Sequence, residues 1–83
     1  MTYEEFVKSG QHLSDQTADV LGYMLEHGGT ITTMEAIHDL SCTRLSARIW
    51  DLRNAGFDIT CAIHTKKRLN GKIKRWGEYK LHV

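Results

Sequence analysis

Between His64 and Gly77 the chain carries six bases and no acid: Lys66, Lys67, Arg68, Lys72, Lys74 and Arg75. Like charges gathered so closely repel one another, and a phosphate backbone is the counterion that relieves them, so the tip they form is expected to lie on phosphates or to enter a minor groove. Lysine on a strand also guards against edge pairing, which accounts for two or three of the six but not for all. A second group lies upstream. Thr43, Arg44, Ser46, Ala47, Arg48, Trp50, Asp51 and Asn54 include the side-chain types that read base edges in a major groove, where arginine pairs with guanine, asparagine with adenine and alanine meets a thymine methyl. Small Ser46 and Ala47 also permit close backbone approach. Arg48 suits either a phosphate or an ion pair with Asp51 three residues on, and Arg53 suits the negative end of a helix. The competing reading is a solvated amphipathic helix laced with ion pairs. Trp76 either stacks on a sugar, covers lysine methylenes, or is a half-buried surface tryptophan with no special role.

Other chemistries find no support in the spacing. His12, His27, His38, His64 and His82 are dispersed, without HxxxH or Cys/His ligand spacing, so no metal site is expected. No serine, cysteine or lysine has an identifiable activating partner, and neither catalysis nor a cofactor is expected. Cys42 and Cys61 show no CxxC pattern and read as reduced, small, buried apolar residues of a reducing compartment. No stretch is long and apolar enough for a membrane, and Met1-Thr2-Tyr3-Glu4-Glu5 lacks the basic start of a signal peptide, so the protein is expected to stay where it is made.

Eighty-three residues without proline and with 41% hydrophobic content make one small domain, because a second core needs roughly 100 further residues. The net charge of +1 conceals a sharp segregation. Residues 1–42 carry one base, Lys8, against seven acids: Glu4, Glu5, Asp15, Asp19, Glu26, Glu35 and Asp39. Residues 43–83 carry ten bases against three acids, Asp51, Asp58 and Glu78. Such asymmetry points to a polyanion-binding half on an acidic support.

The elements that position these residues follow from periodicity. Residues 1–13 read as a weakly specified arm or short helix, with Tyr3, Phe6 and Val7 forming an amphipathic turn that ends at Ser9-Gly10. Residues 14–83 read as the main domain. Ser14 is placed to cap a helix, with Leu13 and Ala18 as a hydrophobic staple. Ala18, Leu21, Met24 and Leu25 mark its apolar face, Val20 widens it, and Gly28-Gly29 stops it. A minimal strand follows near Ile31. The box Thr32-Thr33-Met34-Glu35 then starts a second helix with Ala36, Ile37 and Leu40 inward. After a turn at Ser41-Cys42, Thr43 is placed to cap a third helix, residues 44–55, in which Leu45, Ile49 and Leu52 fall within an arc of about 60°. Beyond Gly56 the period changes to two. Phe57, Ile59, Cys61 and Ile63, and later Tyr79, Leu81 and Val83, form the buried face of two strands.

Asn70-Gly71 suggests a two-residue hairpin turn, but parity argues against it, since buried Ile63 would then oppose Glu78. A three-residue loop Leu69-Asn70-Gly71, with Gly71 left-handed, instead pairs Ile63 with Gly77, Cys61 with Tyr79 and Ile59 with Leu81. A bulge at Gly77 would restore the same parity. The expected architecture is therefore α+β: three helices, then a two-stranded hairpin, with the short extra strand near Ile31. Two short helices joined by a tight turn form a helix-turn-helix, and the hairpin after them makes it winged.

At residue level, Ile31-Thr32, Glu35-Ala36 and the run Arg44-Leu45-Ser46-Ala47-Arg48-Ile49, followed by Asp51-Leu52-Arg53 and Gly56, resemble the winged helix-turn-helix domain of small phage and prophage proteins. That pattern includes R-L-[S/G]-A-R-I-x-D-L-R-x-x-G, and the resemblance spans about residues 17–83. One departure is Cys42, which stands where the pattern carries a branched aliphatic. The resemblance implies binding of double-stranded DNA by a phage- or prophage-type regulator in the cytoplasm of a bacterial host, with the third helix reading bases and the wing holding backbone. A docking module for a host or phage protein, or a homodimer formed through the first helix and the arm, stands as the alternative partnership. No heptad repeat supports the dimer.

Overall fold

A computed structural model describes residues 2–82, in the order α1 (Tyr3–Ser9), α2 (Asp15–Glu26), β1 (Thr30–Thr32), α3 (Thr33–Leu40), α4 (Leu45–Asn54), β2 (Asp58–Lys67) and β3 (Ile73–His82). The third helix of the sequence reading is thus α4. Local capping explains most of the boundaries. Thr2 accepts from the Glu5 amide to start α1, and Gly10, left-handed at φ 72°, ends it. Phe6 alone of α1 is buried, its ring 5.3 Å from that of Phe57. Ser14 caps α2 as expected, accepting from the Thr17 amide.

The buried face of α2 differs from the expected one. Thr17, Val20, Leu21, Tyr23 and Met24 are buried, while Ala18 and Leu25 are exposed. The helix is rolled by about a quarter turn relative to a purely apolar stripe. Thr17 tolerates burial because its hydroxyl finds a carboxylate on α4. After α2, the left-handed Gly29 lets its carbonyl accept from the Leu81 amide at 2.7 Å, and a Cβ there would lie 3.2 Å from the Leu81 carbonyl oxygen. Close approach of two backbones thus requires glycine at this point.

The box at α3 forms in full: the Glu35 amide donates to Thr32 Oγ1 at 3.2 Å and the Thr32 amide to Glu35 Oε1 at 2.9 Å. Ala36 is buried and Leu40 half-buried, but Ile37, expected inward, is exposed. The short helix meets the core along one narrow line only. At its end Ser41 adopts a left-handed φ of 53°, and the Cys42 amide reaches back to the Ala36 carbonyl at 2.9 Å. Cys42 itself is buried. Thr43 does not cap α4. The N-cap is Arg44, without a side-chain cap bond, so the chain enters the helix one residue later than the threonine suggested. Leu45, Ile49 and Leu52 face inward as expected.

The three strands lie antiparallel in the order β1-β3-β2. The pairs Ile63 with Gly77, Cys61 with Tyr79 and Ile59 with Leu81 all form, in an unbroken ladder. The loop is the three-residue one, with Gly71 at φ 83°. Burial, however, is confined to the base of the hairpin. Phe57, Ile59 and Leu81 are buried and Tyr79 half-buried, whereas Cys61 and Ile63 are exposed. Ten-residue strands run about 33 Å, while a ten-residue helix such as α4 covers only about 15 Å. The outer half of the hairpin therefore projects beyond the helical layer, and the molecule extends 51 Å along its long axis. Val83, placed by alternation on the buried face, lies outside the described residues.

Two outcomes test this arrangement. Ile49→Ala should cost about 2–5 kcal/mol in urea unfolding through lost burial and a cavity, while Ile63→Ala should stay within about 0.5 kcal/mol. A bulky thiol reagent should label Cys61 at once in the native protein and Cys42 only as the chain unfolds. Equal rates for the two would contradict the partial burial of the hairpin.

Candidate nucleic-acid interface

The outward side of α4 and its entry present Thr43, Arg44, Ser46, Trp50 and Asn54, all exposed, with Ala47 half-buried among them. Trp50 is 65% exposed, a large apolar area at the centre of the face. This orientation follows from the inward stripe of Leu45, Ile49 and Leu52 together with a polar contact that periodicity does not register. Thr17 is fully buried and donates from Oγ1 to Asp51 Oδ2 at 3.0 Å. Ser14 Oγ in turn donates to Thr17 Oγ1 at 2.8 Å. Asp51 also pairs with Arg48, whose Nε lies 3.1 Å from Oδ2, and Arg48 Nη1 donates to Gln16 Oε1 at 3.3 Å. A chain of polar groups therefore joins the first turn of α2 to the middle of α4.

Asp51, expected on the outward face, is accordingly half-buried and engaged, and Arg48 takes the ion pair of its two alternatives. The carboxylate sits beside the N-terminal turn of α2, the electropositive end of that helix. Arg53 also has a specific partner: its Nε donates to the Ile59 carbonyl at 3.0 Å, a strut from α4 to β2. Thr17 and Gln16 carry no sequence signal of their own. Only the four-residue reach from the Ser14 cap places them near the turn that α4 crosses.

All six wing bases are exposed. The ladder divides them between two faces. Lys66 stands directly opposite Lys74, on the side of Trp76, while Lys67 opposite Ile73 and Arg75 opposite Thr65 point to the side on which α4 packs. Arg68 and Lys72 flank the loop, the Arg68 amide donating to the Lys72 carbonyl at 2.7 Å. Trp76 is half-buried, its ring stacked 5.5 Å from His64 with Lys74 Nζ 5.9 Å from its centroid, so its face carries the lysine ammonium. His64 Nε2 lies 3.3 Å from Glu78 Oε1, leaving the outer bases beyond it without an acidic neighbour on the hairpin. A cleft of about 330 Å³ between Trp76, Lys66, Lys74 and the start of α3 at Thr32, Thr33 and Met34 joins the wing to the helical body.

Away from this face, Tyr23 is buried with its hydroxyl 3.0 Å from both Glu35 Oε2 and Asp39 Oδ2. Burial, then the two carboxylates, push the phenol well above its usual range. The single hydroxyl proton is retained and ties α2 to α3. Among the described residues no group of three or more His, Cys, Asp or Glu side chains is placed to hold a metal, and no helix is long and apolar enough to cross a membrane.

Comparison with known proteins agrees with this geometry. A family model described as a winged helix-turn-helix domain matches residues 15–83. Neither the curated proteins nor the solved structures contain a match.

The contact between α2 and α4 yields a measurable outcome. Thr17→Val keeps the volume and removes the hydroxyl, and should destabilise by about 1–3 kcal/mol. Combined with Asp51→Ala in a double-mutant cycle, it should show a coupling of about 0.5–3 kcal/mol. Strict additivity in urea unfolding would mean that the two side chains do not hold the helices together.

Proposed function

The chain belongs to the winged helix-turn-helix domain family, a DNA-binding fold in general, and on that premise we propose that it binds double-stranded DNA with sequence discrimination. Helix α4 enters the major groove, and the β2–β3 wing rests on the neighbouring backbone. The observation that carries the reading is the state of the exposed bases. Arg44 at the start of α4 and the six bases of the outer wing are solvent-facing, while Arg48 and Arg53, the other arginines of α4, are occupied within the fold. A folded protein gains nothing from holding Lys66 against Lys74, and counterion release from a phosphate backbone supplies the compensation.

The division of labour follows from position. Arg44 lies at the N-terminal end of α4, where recognition helices commonly meet base edges, and Asn54 and Trp50 extend the face. Thr43, Ser46 and Ala47 provide hydroxyls and close approach. Lys66, Lys67, Arg68, Lys72, Lys74 and Arg75 supply charge without sequence information. Asp51 contributes by orientation, since its carboxylate is held back from the groove by Thr17 and Arg48. The reading needs no cofactor and no metal, and it suits a small regulator of the phage or prophage type rather than an enzyme.

Arg44→Ala should lower the ratio of specific to random-duplex affinity, because a good bidentate base contact discriminates by about 1–3 kcal/mol. Replacing Lys66, Lys67 and Lys72 together by alanine should weaken both duplexes and flatten the slope of log affinity against log salt by up to about 2.7. Gel shifts at two salt concentrations separate the two effects. Absence of duplex binding at low salt, with loss of a basic protein partner on joint Asp19→Lys and Glu26→Lys substitution, would replace this reading by a docking function of the acidic helices.

A further inference from the structure

Leu69 stands at the outermost point of the hairpin and is fully exposed. It is flanked by Lys67, Arg68 and Lys72, so the tip is an apolar side chain set in a ring of cations. The loop that carries it is held by three hydrogen bonds. The Arg68 amide donates to the Lys72 carbonyl at 2.7 Å, the Gly71 amide to the Arg68 carbonyl at 3.0 Å, and the Lys72 amide to Asn70 Oδ1 at 3.0 Å. Gly71 supplies the left-handed residue that a three-residue hairpin loop requires. Turn positions ordinarily favour Gly, Pro, Asn, Asp or Ser, each for a backbone reason, and leucine supplies none of these. Its side chain contributes nothing to the core, which ends at the base of the hairpin some ten residues away along each strand.

We propose that Leu69 is a wedge that enters the minor groove, partly unstacks a base step and bends the duplex. The inference rests on the duplex-binding reading above. In the minor groove, where no thymine methyl is displayed, an apolar side chain held among phosphate-seeking bases meets only the sugar walls and, where a step opens, the faces of the bases. Proteins that bend DNA from the minor groove use leucine, isoleucine, phenylalanine, methionine or proline in this way. The flanking cations bring the tip against both backbones, the two-faced distribution of Lys66 and Lys74 against Lys67 and Arg75 lets each strand of DNA find charge, and the hydrogen bonds within the loop hold Leu69 at its outermost point. Pyrimidine–purine steps such as TA and CA, which unstack most easily, are the sites it would favour. The chain would then shape DNA as well as read it.

The experiment uses the full chain and a short duplex enriched by the protein from a random pool, with dyes on its two ends and 2-aminopurine at a TA step. The unmodified protein should shorten the end-to-end distance to a bend of about 20–90° and brighten 2-aminopurine as the step opens. Leu69→Ala and Leu69→Ser should lose most of both signals while keeping the salt slope, because no cation is removed. Leu69→Met, apolar and similar in volume, should restore them. Circular dichroism and Tm should be unchanged in all three. A duplex that is bound but straight, or bent equally by Leu69→Ala, would overturn the wedge and leave duplex binding in place. Failure to bind any duplex at low salt would overturn both.

Discussion

The hydrogen bond from the buried Thr17 hydroxyl to Asp51 sets the roll of α4, and the roll of α4 decides which side chains the protein presents. A hydroxyl removed from water without a partner costs about 1–3 kcal/mol, a large share of the stability of so small a domain. Turning α4 by one residue would carry Asp51 about 100° away and leave the Thr17 hydroxyl with Ser14 as its one partner. The same carboxylate gathers Arg48, which gathers Gln16, so one flank of the helix is partly covered by polar contacts rather than by apolar ones. What remains outside is Arg44, Ser46, Trp50 and Asn54. Specificity of orientation is thus built from the polar side of the interface, where geometry is directional, while Leu45, Ile49 and Leu52 supply the burial.

Much of this architecture was legible in the residues, and the reasons differ by element. Side-chain alternation has a period of two, so parity argued against the two-residue turn and left a three-residue loop or a bulge at Gly77; the unbroken ladder has the loop. Capping is local chemistry, and both Ser14 and the Thr32–Glu35 box behave as their spacing requires. Thr43 misled because a threonine before an apolar stripe is only a candidate cap, and the left-handed Ser41 delivers the chain to α4 one residue later. The roll of α2 was hidden because apolar periodicity is blind to a buried threonine. Cys61 and Ile63 look buried by alternation, and they are exposed because nothing in a strand's own pattern records how far the opposing layer extends.

At the candidate site the same distinction holds. Charge segregation along the chain marked the wing, and the ladder then showed that its bases occupy both faces. The spacing offers Arg48 an ion pair with Asp51 as one of its two roles and leaves Arg44 on the outward face, but nothing in it gives Arg53 the Ile59 carbonyl that holds it. Those assignments depend on which helices cross and where. The acids of the first half likewise divide into two kinds. Glu35 and Asp39 converge on Tyr23 and hold α2 to α3, while Asp19 and Glu26 remain in solvent.

Beyond Cys61 the hairpin has no buried apolar layer against it, only the start of α3 across the cleft at Trp76, Lys66 and Lys74, and a two-stranded ribbon by itself is only marginally stable in water. Its shape there depends on the backbone ladder and a few side-chain stacks such as His64 on Trp76. In the hierarchy of local opening energies the wing therefore stands low and the α2–α4 body high. Fraying of the outer ladder leaves the helical body folded, so the two parts of the molecule exchange amide hydrogens on different timescales. A ligand held by the wing would damp that fraying, and part of its binding free energy would be spent as lost ribbon entropy.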